Sequence, residues 1–280
     1  MIPYRAMVDL PRELVTYVSR RLAAHRRSLG TRKGTRALTP WRQALFGLIW
    51  YRKREDLTLL GAGFGISRAT AYRYRDEVTT VLSTTAPDLH QALQRVADQG
   101  WSHVVVDGKI FTTDRLTEDT TSVKGKAIHA WYSGKAHRFG ANIQAIMRPD
   151  GLPVWTSDAL PGHLHDLTCL QQHDIDAALY WAASQLHLPS LADAGYQGAG
   201  LGIHTPIKQP TDGKQLAPDN RTYNTLQRAL RAQGERGFAL LTGRWHALKH
   251  TTASPSRIGD FVRAALVLTH FEHRYLTDSC

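Results

Sequence analysis

Along the first part of the chain the hydrophobic positions recur at helical spacing. Leu14, Val18 and Leu22 follow Pro11 at intervals of four, the one-sided stripe of an amphipathic helix with a proline at its first position. Gly30 closes this helix, and the basic residues 30–36 read as a loop. Thr39-Pro40 opens a second helix, threonine as N-cap and proline at N1. Its apolar face is predicted as Trp41, Leu45, Leu48 and Ile49, with Arg52-Lys53-Arg54 near the C-terminal end, where cations suit the helix dipole. Asp56 caps a short third helix carrying Leu59, Leu60 and Phe64. Gly65 supplies a turn, and Ser67 caps a fourth helix running to about Leu82. In that fourth helix Ala71, Tyr74, Val78 and Val81 share an apolar face. Arg68, Tyr72, Arg75 and Thr79 form another, with Arg73 beside it. A short helix, a glycine turn and a longer helix with an arginine-rich start make a helix-turn-helix pattern.

The period changes after a connecting helix in residues 87–100. Val104-Val105-Val106 is a buried-strand signal, with Asp107 expected where that strand ends. Further strands are predicted at 109–113, 141–147 and 152–157, the last two joined by the turn Pro149-Asp150-Gly151. One helical stretch follows from about Leu164 to Leu186. Leu188–Ala192 leads to a second acidic turn, Asp193-Ala194-Gly195-Tyr196-Gln197-Gly198. A short strand is expected near Thr205–Lys208, a long helix from about Asp219 carrying Glu235, and a last helix over about 257–276. The pattern predicts three parts: a helical domain over 1–86, a linker over 87–100 and a mixed α/β domain over 101–280.

Charge sharpens the division. The 280 residues carry a net +11, and residues 1–80 hold 16 basic against 6 acidic side chains, so nearly all the excess lies in the helical part. A localised positive field points to a polyanion, most often nucleic acid; a solubilising surface or a helical dimerisation module is the plainer explanation. No apolar run is long enough to span a bilayer, no signal-peptide core opens the chain, and Cys169 and Cys280 are too few for a disulfide framework. The expectation is a cytoplasmic protein with no membrane partner and no organic cofactor.

Taken singly, each acidic residue of the second part has a plain explanation. Asp107-Gly108 reads as a turn, Asp193 as a stabiliser of its glycine-rich loop, and Glu235 as a solvated helix carboxylate. As a set they suggest more. Two aspartates at strand ends in one sheet and a glutamate from a covering helix can converge on Mg²⁺ or Mn²⁺, which favour hard oxygen ligands. Two such ions ~3.5–4 Å apart would stabilise the entering and leaving oxygens of a phosphodiester displacement.

Val105-Val106-Asp107-Gly108, Tyr132-Ser133-Gly134-Lys135-Ala136-His137-Arg138, Pro161-Gly162-His163-Leu164-His165-Asp166, Asp193–Gly198 and Gly234-Glu235-Arg236 occur in one order. Together they resemble bacterial insertion-sequence transposases of the DDE type, in the group named after insertion sequence five. The resemblance covers nearly the whole chain. It implies a ribonuclease-H-like catalytic fold behind an all-α helix-turn-helix domain, two-metal chemistry, and Asp107, Asp193 and Glu235 as the metal-binding catalytic triad. It also implies double-stranded DNA as partner, both element ends and target, a homodimer on that DNA, and a nucleoid-associated bacterial location. In that family the glutamate's helix commonly presents a Tyr, an Arg, the Glu and a Lys at set spacings. Here Arg231 matches the Arg, but the Tyr position is Arg228 and the Lys position is Thr242. Arg244 or Lys249 would have to replace the lysine.

The remaining clusters attach to this picture. Lys135, His137 and Arg138 are expected to contact phosphates, as are Arg228 and Arg231, while Arg68, Tyr72, Arg73 and Arg75 meet DNA from the helical domain. His165 and Asp166 are expected to support the carboxylates by hydrogen bonding from behind, and Trp131 to stack on an unpaired base. Two other readings stand beside the transposase: a DNA-binding regulator that has lost strand transfer, and an unrelated metal-dependent hydrolase using His163 and His165.

Overall fold

The structure, a computed structural model, describes residues 8–122, 124–211, 215–234 and 236–275. They divide into two compact units: one within Met1–Ala86, Leu241–His250 and Asp260–Cys280, the other comprising Pro87–Leu240 and Thr251–Gly259. Residues 241–250 and 260–275, which their chain position assigns to the second domain, thus cluster with the first unit. Among the described residues no helix is long and apolar enough to cross a membrane.

The first unit is helical: α1 (Arg12–Ser28), α2 (Pro40–Lys53), α3 (Leu57–Phe64) and α4 (Arg68–Ser83). The caps read from sequence are formed. Thr39 accepts from the Arg42 amide at 3.2 Å, Asp56 from Thr58 and Leu59 at 2.8 and 3.0 Å, and Ser67 from Thr70 at 3.3 Å. Each satisfies N–H groups that the first helical turn leaves without partners. α2 is the central helix, buried on nearly every side from Gln43 to Tyr51 apart from Leu45. Its predicted one-sided face was therefore too narrow. Trp41, assigned to that face, is 42% exposed, because the helix enters the core only after its first turn. From Asp260 onward the C-terminal helix (Pro255–Glu272) completes this core, with Phe261 against Trp50 at 5.2 Å and Phe271 stacked on Tyr17 at 4.6 Å.

The second unit opens with α5 (Leu89–Asp98), followed by β1 (Val104–Thr112), β2 (Asp119–Thr121), β3 (Ala127–His129), β4 (Tyr132–Ser133), β5 (Arg138–Met147), β6 (Pro153–Thr156) and β7 (Leu160–Pro161). Then come α6 (Asp166–Gln172), α7 (Ile175–Gln185), β8 (Ser190–Leu191), β9 (Ile203–His204), α8 (Pro218–Gly234) and α9 (Arg236–Arg244), of which residues 236–240 belong to this unit. The sheet is mixed, in the order β4-β5-β1-β8-β9, with β6 and β7 also paired to β5. β1 runs antiparallel to β5 and parallel to β8, and β8 runs parallel to β9. β2 and β3 make a separate hairpin.

Three sequence expectations change. β1 does not end at Asp107 but continues through Gly108 to Thr112, absorbing the strand predicted at 109–113, because β5 pairs with it along its length. The helix expected over 164–186 is two, broken at Asp174, whose backbone is left-handed at φ 52°. The strand expected at 205–208 lies at Ile203–His204, where pairing with β8 is available.

β1 presents Val105, Asp107, Lys109 and Phe111 to one face of the sheet, since side chains alternate along a strand. α8 and α9 cover that face. Gly234 sits so close to Val105 that a Cβ there would stand 2.6 Å from the valine side chain, and Phe238 meets Phe111 edge-on at 5.8 Å. The opposite face, carrying Asn142 and Gln144 of β5 across from Ile110 and Gly108, receives α6.

Candidate active site

β1 and β8 pair in parallel with Val104 opposite Ser190 and Val105 opposite Leu191. Carrying that register two residues further sets Asp107 opposite Asp193, just past the last pair of the parallel ladder, where Asp193 caps a tight turn. A single carboxylate at a strand end is unremarkable; two at matched positions are built into the topology. The Gly108 N–H donates to Asp107 Oδ1 at 2.9 Å, and the Gly195 N–H donates to Asp193 Oδ1 at 2.7 Å. The second oxygen of each, Oδ2, accepts no hydrogen bond among the described residues.

α8 secures this arrangement from the face that carries Asp107. The Gln227 amide Nε2 donates to the carbonyls of Ala192 at 3.0 Å and His204 at 2.7 Å, which fastens the helix to β8 and β9 beside Asp193. One turn later Arg231 is only 8% exposed, and its charge favours the Asp107 carboxylate. Arg231, expected to contact DNA, is thus largely buried. Four positions further stands Glu235, which lies outside the described residues.

On the other face a chain of buried polar side chains runs back from the Asp193 turn. The Tyr196 hydroxyl donates to Gln144 Oε1 at 2.5 Å, Gln144 Nε2 donates to Asn142 Oδ1 at 2.8 Å, and Asn142 Nδ2 donates to Asp166 Oδ1 at 2.9 Å. Asp166 Oδ2 then accepts from Lys135 Nζ at 3.1 Å. Gly108 separates the two faces at this level. A Cβ on it would run into the Asp166 carboxylate and the Gln144 amide, so only glycine lets them lie against the strand.

Negative charge dominates the site. Burial, together with the nearby charges of Asp193 and Asp166, pushes the Asp107 carboxyl up to about 6 from its ordinary 3.8, against the opposing effects of the Gly108 N–H and Arg231. The same three carboxylates hold the Lys135 ammonium above its ordinary value, Asp166 foremost. Burial raises the Tyr196 phenol well above 10, reinforced by the three carboxylates, so it remains a hydrogen-bond donor.

Two aspartates with unengaged oxygens suit a hard divalent cation. The buried histidines and the one free cysteine described, Cys169, play no part; burial lifts that thiol to about 12. Among the described residues no three metal-ligating side chains converge.

The other expected site residues fall into distinct places. Lys135, His137 and Arg138 sit exposed on the tight β4–β5 hairpin, and His165 is exposed at the start of α6. Arg228 is exposed on α8, and Arg68 and Arg73 on α4, where Arg68 lies over the half-buried Tyr72 ring at 5.7 Å. Arg75 does not join them. It is 8% exposed, its guanidinium over the rings of Trp50, Tyr72 and Phe261 within 5.4 Å and paired with Asp76, so it is core of the first unit. Trp131, expected to stack on a base, is buried and donates to Glu118 at 2.7 Å. Arg244 is bound to Glu272 and Asp9 within the first unit. Sequence reasoning missed Asn142, Gln144, Tyr196 and Gln227. The one available signal was Asn142-x-Gln144, two polar residues at period two inside an otherwise apolar strand.

A family model described as DDE superfamily endonuclease matches residues 106–270, more than half of the chain. The HARBI1 proteins of Rattus norvegicus and Bos taurus, both named as nucleases, are each 24% identical to this chain over 94% of its length and 75% of theirs. A solved structure, the Mos1 transposase paired-end complex with left transposon end, aligns over 86% of this chain and 79% of that one. Its identity is 13% and its TM-score 0.21.

Proposed function

This chain belongs to the DDE superfamily endonucleases, and from that premise we propose that it is a DNA transposase. On this reading it binds the ends of its own mobile element, hydrolyses a phosphodiester there to free a 3′-hydroxyl, and joins that end to target DNA. The observation that carries the proposal is the pairing of Asp107 with Asp193. They stand two residues past the last matched pair of the β1–β8 ladder and each keeps one oxygen unengaged, where burial, with Asp193 and Asp166, raises Asp107 to about 6.

Asp107 and Asp193 would hold Mg²⁺ or Mn²⁺ through their Oδ2 atoms, with Glu235 as the third ligand and two ions expected per site. When bound, such cations provide Lewis acidity and stabilise the entering and leaving oxygens of the displacement. The Gly108 and Gly195 amides orient the carboxylates, and Arg231 offsets a small part of the rise in the Asp107 carboxyl. Lys135, anchored by Asp166, supplies a fixed positive charge for a phosphate near the reacting bond. In this proposal the short helix, glycine turn and longer helix of the first unit form the helix-turn-helix module, with Arg68, Tyr72 and Arg73 toward DNA. Arg228, His137 and Arg138 add phosphate contacts. Handling two element ends calls for two active sites, hence a homodimer on DNA. Membership of the insertion-sequence-five group and a bacterial cytoplasmic setting belong to the same proposal.

The test is incubation of the full chain with linear DNA carrying its gene and flanks, in Mg²⁺ or Mn²⁺, beside Asp193→Ala. The proposal predicts metal-dependent nicks at the element borders and joined products from wild type, with neither from the variant. Nicks without joining would make the protein a nuclease only. Border binding without nicks would make it a DNA-binding regulator.

A further inference from the structure

Beside the carboxylate site the second unit contains a groove of about 920 Å³, bounded by Ile128 and His129 of β3, the β4–β5 hairpin, the start of α6, and Gly108 and Gly195. Those two glycines donate the amides that hold Asp107 and Asp193, so the groove adjoins the carboxylate site although neither carboxylate lines it. Its volume is that of a small-molecule pocket, ~300–1,000 Å³, which accommodates an unpaired nucleotide or two and not a duplex.

Its lining alternates cations with flat rings. Tyr132 is 37% exposed and held edge-on to Phe139 at 5.2 Å, and His129 is fixed by Asp119 at 2.7 Å and by Phe139. Ring faces that are already immobilised lose little entropy when a base stacks on them. Lys135 spends one N–H on Asp166, and its side chain is 74% exposed. Arg138 donates its Nε to the Ala136 carbonyl, and the side chain is exposed. A positive track with aromatic platforms is how proteins hold single-stranded nucleic acid without reading its sequence.

We propose that this groove binds the unpaired DNA nucleotides flanking the scissile phosphate, a base stacking on Tyr132 and the backbone running along Lys135 and Arg138. The inference rests on the endonuclease reading for its placement, but the binding itself requires no cleavage. Opening of the duplex beside the cut, or a single-stranded overhang already present, then contributes to binding.

The test is fluorescence anisotropy of the full chain in EDTA, with a labelled blunt duplex and the same duplex carrying a three-thymidine overhang. The overhang should tighten binding to wild type about tenfold. Tyr132→Ala should remove that gain while leaving the blunt duplex unchanged, and Tyr132→Phe should retain it. Arg138→Gln, altered only on the surface, should lower the salt slope for the overhang by about 0.7, one phosphate contact to a single strand. Equal affinity of wild type for both DNAs, or an overhang gain that survives Tyr132→Ala, overturns the proposal. A parallel nicking assay in Mg²⁺, with Asp107→Asn as control, separates the two readings. Nicking without an overhang preference removes the groove proposal alone. A Tyr132-dependent preference without nicking removes the endonuclease reading alone.

Discussion

Asp107 is held in a charge state that its surroundings oppose. Its carboxyl lies at about 6 in the fold, first through burial and then through Asp193 and Asp166, whereas an unfolded chain titrates it near 3.8. A group raised in this way binds its proton more tightly when folded, so it costs nothing below pH ~3.8, where both states are protonated. The cost grows as pH rises toward 6 and is constant above. Asp107→Asn removes it. In EDTA, the stability advantage of that variant over wild type, measured by urea unfolding, should widen between pH 4 and 6.5 and then level off. An advantage independent of pH would mean that the carboxylate is not strained by its neighbours. At this scale the sequence was partly legible. Asp107 and Asp193 stood out because valines precede one and a glycine-rich turn follows the other. Arg75 and Arg231 misled because an arginine on a helix carries no mark of what packs over it, and aromatic rings or a carboxylate can bury its charge.

Local signals set the elements, and tertiary partners set their limits. Thr39-Pro40, Asp56 and Ser67 could be read directly because a capping side chain acts within three residues. The extent of β1 could not, because β5 forms the ladder that carries it past Asp107. Nor could the break at Asp174, where neither glycine nor proline marks the bend. α8 depends on closeness to the sheet. Gly234 lets it approach Val105, two residues before Asp107, and a methyl there would meet the valine at 2.6 Å. Gly234→Ala gains ~1 kcal/mol of helix propensity but overpacks the contact by ~1–3 kcal/mol. The net expectation is a loss of ~0–2 kcal/mol in unfolding free energy. Cleavage should fall more steeply than stability, because the same shift moves Arg231 away from Asp107. A variant as stable and as active as wild type would show that the contact has room.

Across the molecule, the charge asymmetry and the change of hydrophobic period separated a basic helical part from an α/β part. They did not reveal that residues 241–250 and 260–275 join the helical unit, since contacts over more than two hundred residues leave no local pattern. The face assignment is likewise a whole-fold property. Alternation along β1 places Asp107 on the side of α8, and Asp166, only a strand's thickness away, lies on the side of α6 with Lys135. In the proposed function the three carboxylates accordingly divide into two ligands and one support. The most direct check is the single-turnover nicking rate of plasmid DNA in Mg²⁺ for wild type, Asp107→Asn, Asp193→Asn and Asp166→Asn. Loss of either ligand should slow nicking by at least ~10³-fold, the several kcal/mol that bound metal contributes. Loss of Asp166 should cost about tenfold, through a displaced Lys135. Nicking that persists in Asp193→Asn, or that fails equally in all three, would contradict the two-aspartate site.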